Sequence, residues 1–332
     1  MVSHTIPTAV IGAGDWGKNI VRKFHELGAL AAVAETTSDK AAQIQADYGV
    51  PIQSFADILK NEEIKAIALT SPAITHYELA IEAINAGKHL FIEKPITLNY
   101  AEAIELKEKA NEKGLTLMAG HLLHYHPCFA KLKELVADGE LGAIRHIHAR
   151  RFNIGKFREE ENVLWDLGPH DVSMVLSLVK DDPLTIDAKV GNYLLPNVSD
   201  FATLHLTFAN NINAEINLSW LAPQKEHRLI IIGEKAMAVF DDTLEWDEKL
   251  RIHRHKAAMQ PGMPPLLERD MEGEAITVPY KEPLLNECAT FLNAITNNTE
   301  PYSNGEEACR VIKLLETADP ALKATQKLSK AI

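Results

Sequence analysis

The chain has 332 residues, which is long for one hydrophobic core and comfortable for two domains. Hydrophobic residues make up 46% and charged residues 24%, proportions that exclude a disordered or fibrous chain. The net charge of −12 is dispersed without a basic run, so we expect no nucleic-acid partner.

The start of the chain and its cysteines bear on the compartment. Only Met1–Pro7 precede the first strand-like run, which is too short for a signal peptide. No apolar stretch approaches the roughly 20 residues that span a bilayer. Cys128, Cys288 and Cys309 form no C-x-x-C pair, which favours reduced thiols. We therefore expect a cytoplasmic protein with no membrane partner.

Apolar runs and amphipathic stretches alternate over the first 120 residues. This alternation predicts strands and helices in turn, and hence a parallel sheet covered on both faces. The predicted strands are Thr8–Ile11, Leu30–Ala34, Ala66–Leu69, His89–Ile92 and Leu115–Ala119. The predicted helices are Asp15–Leu27, Asp39–Tyr48, Tyr77–Ala86 and Tyr100–Lys113.

The pattern then changes, and we place a domain boundary between residues 122 and 123. Strand-like runs joined by short turns now indicate a mostly antiparallel sheet. These runs are Ile144–Phe152, Thr185–Val190, Phe201–Phe208, Asn213–Leu221, Leu229–Ile232 and Ala236–Phe240. Helices are predicted at Pro127–Ala137, His170–Leu178, Pro283–Thr296 and Gly305–Ala324, and a long loop at 256–275. The last helix can pack back on the first domain.

A glycine motif follows the first predicted strand and opens the first predicted helix. In Gly12-Ala13-Gly14-Asp15-Trp16-Gly17, the first glycine permits a tight turn, the second lets backbone approach a pyrophosphate, and the third lets the helix pack on the strand. Glu35 lies 23 residues after Gly12 and ends the second strand. A carboxylate there hydrogen-bonds ribose hydroxyls and repels a 2′-phosphate, which favours NAD over NADP. The hydroxyls of Thr37 and Ser38 soften that preference, because they can bond a phosphate.

Two further motifs carry groups suited to hydride transfer from an alcohol. Glu93-Lys94-Pro95 stands at the carboxyl end of a strand, where a lysine can stabilise developing alkoxide charge. Trp165-Asp166-Leu167-Gly168-Pro169-His170 places a carboxylate four residues before a histidine, and a base is needed for the hydroxyl proton. Taken singly, a surface lysine and a helix-capping aspartate explain these residues equally well.

Together the motifs resemble the Gfo/Idh/MocA family, named for glucose–fructose oxidoreductase and inositol dehydrogenase. The resemblance implies a Rossmann domain followed by an α/β domain with a large, mostly antiparallel, open-faced sheet. It implies that Lys94 positions the reacting hydroxyl, that His170 is the general acid/base and that Asp166 supports it. It also implies a cis-proline at Pro95 and a cofactor site formed by Gly12, Gly14, Asp15, Trp16, Gly17, Glu35, Thr70, Ser71, Pro72, His76, Glu93 and Lys94.

Within the family, the chain most resembles members that act on nucleotide sugars, such as those oxidising UDP-N-acetylglucosamine at C3 for lipopolysaccharide assembly. This likeness implies substrate contacts by His121, His124, Tyr125, Arg151, Asn153 and Trp165. Arg150, Arg151, Lys156 and Arg158 form a basic cluster that is either a diphosphate site or a solvated loop. Two alternatives remain: a dehydrogenase of a free polyol or monosaccharide, and a non-catalytic NAD-binding regulator. Lys94, Asp166 and His170 argue against the regulator.

The histidines after the fifth predicted strand and the predicted open sheet bear on metal binding and on assembly. His121, His124 and His126 are candidate ligands, but no nearby cysteine or acidic residue completes the set, so we expect no metal. An open sheet face would leave an apolar patch too large for a monomer. We therefore expect a homodimer or homotetramer built on that face.

Overall fold

The structure is a computed structural model that describes residues 6–154 and 161–319. These residues divide into two compact units. The first unit comprises residues up to Tyr125 together with Glu282–Lys313, and the second comprises His126–Lys281 and the residues from Leu314 on. None of the described helices is both long and apolar enough to cross a membrane.

The first unit is built on a parallel sheet, which in the described residues has five strands in the order β2-β1-β3-β4-β5. The strands are β1 Thr8–Ile11, β2 Leu30–Ala34, β3 Ala66–Leu69, β4 His89–Glu93 and β5 Leu117–Gly120. The helices are α1 Gly17–Glu26, α2 Ser38–Tyr48, α3 Phe55–Lys60, α4 His76–Asn85 and α5 Tyr100–Glu112. Strand order reverses on either side of β1, and ligands of such sheets bind at the carboxyl ends beside that reversal.

The chain returns to the first unit late in the sequence. Helix α8, Pro283–Asn297, follows the second unit's strands in sequence but contributes Phe291 to the first unit's core. The Phe291 ring packs edge-on against Phe24 of α1 and Phe91 of β4, with centroid distances of 6.4 and 5.9 Å. Helix α8 therefore helps to hold α1 on the sheet.

The second unit contains a mixed sheet of eight described strands in the order β15-β12-β11-β10-β6-β9-β8-β7. Only the β6–β9 pair is parallel among these neighbours, so the sheet is mostly antiparallel. Its strands are β6 Ile144–Ile154, β7 Thr185–Gly191, β8 Phe201–Thr207, β9 Asn213–Ser219, β10 Leu221–Gly233, β11 Ala236–Asp241, β12 Leu250–Arg254 and β15 Glu274–Ala275. Its helices are α6 Pro127–Ala137 and α7 Val163–Val179, while α9 Gly305–Ala318 ends in it.

Helix α7 covers one face of this sheet, which we call the inner face. It packs on β6, β8 and β9. Ile147, Leu204, Ile216 and Leu218 are buried on that face. The side chains that alternate with them point to the other, outer face, because successive residues of a strand face opposite sides.

Several elements differ from the sequence prediction. Helix α7 begins at Val163 rather than at His170, because the Asn162 side chain caps it and Gly168 and Pro169 lie inside it instead of ending it. Gly168 lies against Leu164 and Leu218, so that packing overrides the usual effect of a Gly-Pro break. The predicted loop at 256–275 contains the hairpin β13 Lys256–Gln260 and β14 Met263–Glu268, together with β15. Helix α3 and strand β12 were not predicted.

Candidate active site

The turn between β1 and α1 is shaped by its first and third glycines. Gly12 has a φ of +88°, and its N–H donates to the carbonyl of Ala34. A Cβ on Gly17 would overlap the Gly12 carbonyl oxygen and lie 2.6 Å from Thr70 Oγ1. The fold alone therefore requires glycine at both positions.

Gly14 is different, because the fold does not require it. A Cβ placed there would meet no heavy atom of the described residues within 4 Å. Glycine at this point leaves the backbone open to close approach by a ligand, at the amino end of α1 where anionic groups are favoured. The turn thus fits a dinucleotide pyrophosphate, and Asp15 and Trp16 beside it are exposed.

Glu35 follows β2 and reaches back to the glycine turn. Its Oε2 accepts from the Ala13 N–H at 2.9 Å, and its Oε1 accepts from the Thr37 N–H at 2.9 Å. Partial burial opposes ionisation, but these backbone hydrogen bonds lower the pKa of Glu35 below its usual value. The carboxylate is therefore charged at neutral pH, and its oxygens have further lone pairs for hydroxyl donors.

His76 joins the loops that follow β3 and β4. Its Nδ1 lies 2.9 Å from the carbonyl oxygen of Pro95, and its Nε2 lies 2.8 Å from that of Ser71. Burial lowers the pKa of His76. The neutral ring can donate to only one of these two carbonyl oxygens, and it packs between the two loops. In the loop that follows β3, the hydroxyl groups of Ser71 and Thr75 lie 2.8 Å apart and share a hydrogen bond. Thr70 and Pro72 flank Ser71 in this loop.

Glu93 ties the end of β4 to the glycine turn. Its Oε1 accepts from Trp16 Nε1 at 2.6 Å, and burial raises the pKa of its carboxyl group. A Cβ on Gly120 would lie 3.0 Å from Glu93 Oε2, so a glycine at the end of β5 makes room for this side chain. Glu287 of α8 is also buried, and burial together with the nearby Glu93 raises its pKa; no sequence motif indicated it.

Lys94 comes directly after β4, at the same edge of the sheet as the glycine turn and Glu35. Its side chain is half-buried. The Lys94–Pro95 peptide bond is cis, as the family resemblance implied.

His121 and His124 follow β5 and meet an acid that the sequence did not reveal. His121 Nδ1 lies 2.6 Å from Glu307 Oε2, and His124 Nε2 lies 3.4 Å from Glu307 Oε1. Burial opposes ionisation of the Glu307 carboxyl group, but the two nearby histidines lower its pKa to about 2. His126 does not join this group: it caps α6 in the second unit and lies 3.4 Å from Asp242.

Tyr125 belongs to the first unit's hydrophobic core. Its ring is buried, and its hydroxyl lies 2.8 Å from Ser303 Oγ. Burial raises the pKa of Tyr125. This environment gives the side chain a structural role, and a substrate contact by Tyr125 stays a prediction.

In the second unit, Asp166 and His170 lie on the same side of α7. Asp166 is in the first turn and His170 is one turn later, since residues four apart on a helix are neighbours. Asp166 Oδ2 accepts from Trp220 Nε1 at 3.0 Å, and Trp220 itself is fully buried. The Asp166 carboxylate is therefore held in place by the core, while His170 remains partly exposed.

The basic cluster is divided by the sheet. Arg151 lies on the inner face, buried, with its Nε 2.6 Å from Asp171 Oδ2. Arg150 lies on the outer face, 3.6 Å from Glu226. The two arginines therefore cannot grip one diphosphate together. Lys156 and Arg158 lie outside the described residues.

Two other predicted substrate contacts have contrasting surroundings. Trp165 is buried, and its Nε1 donates to Asp319 at 2.8 Å, which gives it a structural partner. Asn153 lies on the inner face of β6, and its buried Oδ1 accepts no hydrogen bond from the described residues. Asn153 therefore has the free capacity expected of a ligand contact.

Family and structural comparisons agree over most of the chain. Residues 6–121 match the model described as "Oxidoreductase family, NAD-binding Rossmann fold", and residues 129–239 match the GFO/IDH/MocA C-terminal domain. The chain is 30% identical to UDP-N-acetylglucosamine 3-dehydrogenase of Acidithiobacillus ferrooxidans over 92% of this chain and 93% of that one.

Solved structures show the same architecture. One of the Acidithiobacillus ferrooxidans enzyme superimposes with a TM-score of 0.82 and 28% identity, covering 96% of this chain and 97% of the other. A 3-ketoreductase from Actinomadura kijaniata, in complex with TDP-benzene and NADP, has a TM-score of 0.81 at 20% identity, with coverage of 95% and 96%, which bears on the fold alone. The chain is an oxidoreductase and belongs to the Gfo/Idh/MocA family.

Proposed function

We propose that the protein is an NAD-preferring dehydrogenase that oxidises a secondary alcohol of a nucleotide sugar. The substrate we favour is UDP-N-acetylglucosamine or a related sugar, oxidised at C3 to the keto sugar. The substrate assignment rests on the 30% identity to the enzyme of that name, which extends along 92% of this chain. The cofactor assignment rests on the position of Glu35.

The observation that carries the cofactor preference is the bond between Glu35 and the glycine turn. One oxygen accepts from Ala13 inside that turn, so the charge stands where a bound adenosine ribose would lie. A 2′-phosphate at this place would meet a like charge, whereas ribose hydroxyls can donate to it. Lys40 is a nearby cation that would attract a 2′-phosphate and so weakens this discrimination.

The cofactor and the residues of the chain have different roles in the proposed oxidation. NAD, when bound, supplies the hydride acceptor, and the chain must take up the hydroxyl proton. We assign proton uptake to His170, because imidazole titrates near neutral pH. We assign to Lys94 the stabilisation of negative charge on the same oxygen. Asp166, held by Trp220, would favour the charged imidazole one turn away.

One observation favours the alternative substrate class, a free polyol or monosaccharide. Arg151 is committed to Asp171 and Arg150 faces the other side of the sheet, so this pair supplies no diphosphate clamp. Asn153 remains available, and an amide suits a sugar hydroxyl as well as a nucleotide. The two classes are separated by comparing substrates with and without the nucleotide.

Calorimetry with both cofactors tests the proposed preference for NAD. NAD(H) should bind at least about tenfold tighter than NADP(H), a difference of about 1.4 kcal/mol. Glu35→Gln should shrink this ratio, whereas the control Asp39→Asn, an exposed acid on α2, should leave it unchanged. Equal or tighter binding of NADP(H) by the unaltered protein would overturn the cofactor assignment.

Thermal unfolding of the NAD-bound protein tests the proposed nucleotide-sugar substrate. UDP-N-acetylglucosamine should raise the melting temperature and free N-acetylglucosamine should not, because a ligand stabilises the folded state that binds it. Reduction of NAD should then be seen with the UDP-sugar. Turnover of free inositol with no effect of any UDP-sugar would replace our substrate with the polyol alternative.

A further inference from the structure

We propose that the outer face of the second unit's sheet holds a divalent transition-metal site of the zinc type, formed by His146, His148 and Glu215. One ligand atom from each residue lies within 4.8 Å of the others. His146 and His148 are on β6, and Glu215 is on β9. The sequence predicted no such site, because the ligands come together only when these strands pair.

The strand register builds the cluster. His148 is directly opposite Glu215, and Glu215 is directly opposite His205 on β8. His205 is in turn opposite Asp187 on β7. A row of alternating histidines and acids therefore crosses four strands on one face, and paired residues of neighbouring strands are close enough to interact. His205 stands next to Glu215 in this row.

The carboxylate of the cluster is oriented by its neighbours. Thr203 Oγ1 donates to Asn217 Oδ1 at 2.9 Å, and Asn217 Nδ2 donates to Glu215 Oε1 at 2.9 Å. These bonds leave Glu215 Oε2 directed towards His148, whose Nδ1 is 3.9 Å away. Metal-binding carboxylates are usually fixed by hydrogen bonds of this kind from outside the ligand set.

Two of the three ligands have pKa shifts in the direction that suits metal binding, which requires deprotonated groups. The hydrogen bond from Asn217 lowers the pKa of Glu215 despite its partial burial, and the nearby histidines act in the same direction. Partial burial and the neighbouring His148 lower the pKa of His146. At neutral pH the site therefore offers a carboxylate and a neutral imidazole, so that few protons need to be displaced.

The donor set and its exposure favour a borderline cation from solvent. Two imidazoles and a carboxylate suit Zn²⁺, whose ligand atoms lie at about 2.0–2.2 Å in a tetrahedral site. His148 and Glu215 are 37% and 31% exposed, whereas His121 and His124 of the first-unit group are 2% and 0% exposed. In the single chain, the outer-face cluster is therefore the more accessible of the two groups.

Titration of the untagged full-length protein with zinc chloride near neutral pH tests the proposal. We expect one ion bound per chain by calorimetry, confirmed by the metal content after gel filtration. Glu215→Gln and His148→Gln should each weaken zinc binding by about tenfold or more, since even loss of an outer hydrogen bond costs 10–100-fold. Their unfolding in chelator should resemble that of the unaltered protein, which shows that the variants fold.

Two control variants make the result specific. His25→Gln removes an exposed histidine of α1 and should leave zinc binding unchanged. Glu307→Gln disables the first-unit group of His121 and His124 and should also leave it unchanged. Absence of zinc binding, or binding lost in Glu307→Gln but retained in Glu215→Gln, would overturn the outer-face site.

Discussion

Lys94 follows the end of β4 with a half-buried side chain, and His170 lies one turn after Asp166 on α7. Replacing either Lys94 or His170 by alanine should reduce turnover by roughly 10²–10⁴-fold, the usual contribution of a general acid/base. Affinity for NAD should change little, because the glycine turn and Glu35 remain. Single-turnover reduction of NAD with the best substrate measures the chemical step.

Asp166→Asn provides a graded comparison with His170→Ala. An amide can still accept from Trp220 Nε1, but it cannot support positive charge on the imidazole, so the rate should fall less than in His170→Ala. His25→Ala, which changes an exposed histidine, serves as the control for turnover. If Lys94→Ala and His170→Ala both keep near-normal rates, the catalytic assignment is wrong even though the family is right.

Arg150 and Arg151 are adjacent in sequence but should differ sharply in their effect on stability. Arg151→Met leaves the buried Asp171 carboxylate without its partner, which should lower the free energy of unfolding by about 3–5 kcal/mol. Arg150→Met breaks only an exposed contact with Glu226, so its effect should stay within about 0.5 kcal/mol. Urea unfolding measures both. Similar values for the two variants would mean that Arg151 is not held as an ion pair.

The turn between β1 and α1 gives a second matched pair, at the scale of an element. Gly17→Ala forces a methyl group against the Gly12 carbonyl and should cost about 1–3 kcal/mol of stability, as overpacking does. Gly14→Ala meets open space and should leave stability within about 0.5 kcal/mol. It should nevertheless weaken NAD binding, because the methyl group occupies the approach to the backbone. Calorimetry of Gly14→Ala that shows normal NAD affinity would contradict the assigned pyrophosphate position.

Periodic elements could be predicted from the sequence, and those set by tertiary packing could not. Strands β1, β2 and β3 and helix α6 have the predicted bounds, because their apolar patterns end at clear breaks. Helix α7 was predicted to begin seven residues too late, since Gly168-Pro169 looks like a break in isolation. The β13–β14 hairpin was not predicted, because Pro264 and Pro265 weaken the strand pattern of β14. Its two strands pair with each other across the turn Pro261-Gly262.

The same distinction applies to the site across the whole molecule. Gly12, Glu35 and Lys94 belong to local motifs, so their grouping at one sheet edge could be foreseen from the alternation of strands and helices. Glu307 could not be foreseen, because it reaches His121 from 186 residues away. The partners of Arg151 and Trp165 were missed for a related reason: Asp171 and Asp319 carry no pattern that marks them as buried.

The outer face of the second unit's sheet also bears on assembly. Next to the polar row that contains His148 and Glu215, strands β10 and β11 present Ile230, Ile232, Met237 and Val239 on the same side, as their register requires. Three of these four side chains are only half-buried. An apolar centre bordered by polar groups is the usual composition of a protein interface. We predict that two copies pack on this face about a twofold axis.

Light scattering after gel filtration measures the predicted assembly directly. The unaltered protein should show at least twice the chain mass of 36.8 kDa at micromolar concentration. Ile230→Asp places a charge in the apolar centre and should shift the protein towards the chain mass, because an unpaired charge is costly to bury. Met271→Asp, at a side chain 81% exposed in a loop, is the control and should leave the mass unchanged. A monomeric unaltered protein would exclude the dimer, and a dimer insensitive to Ile230→Asp would place the interface on another surface.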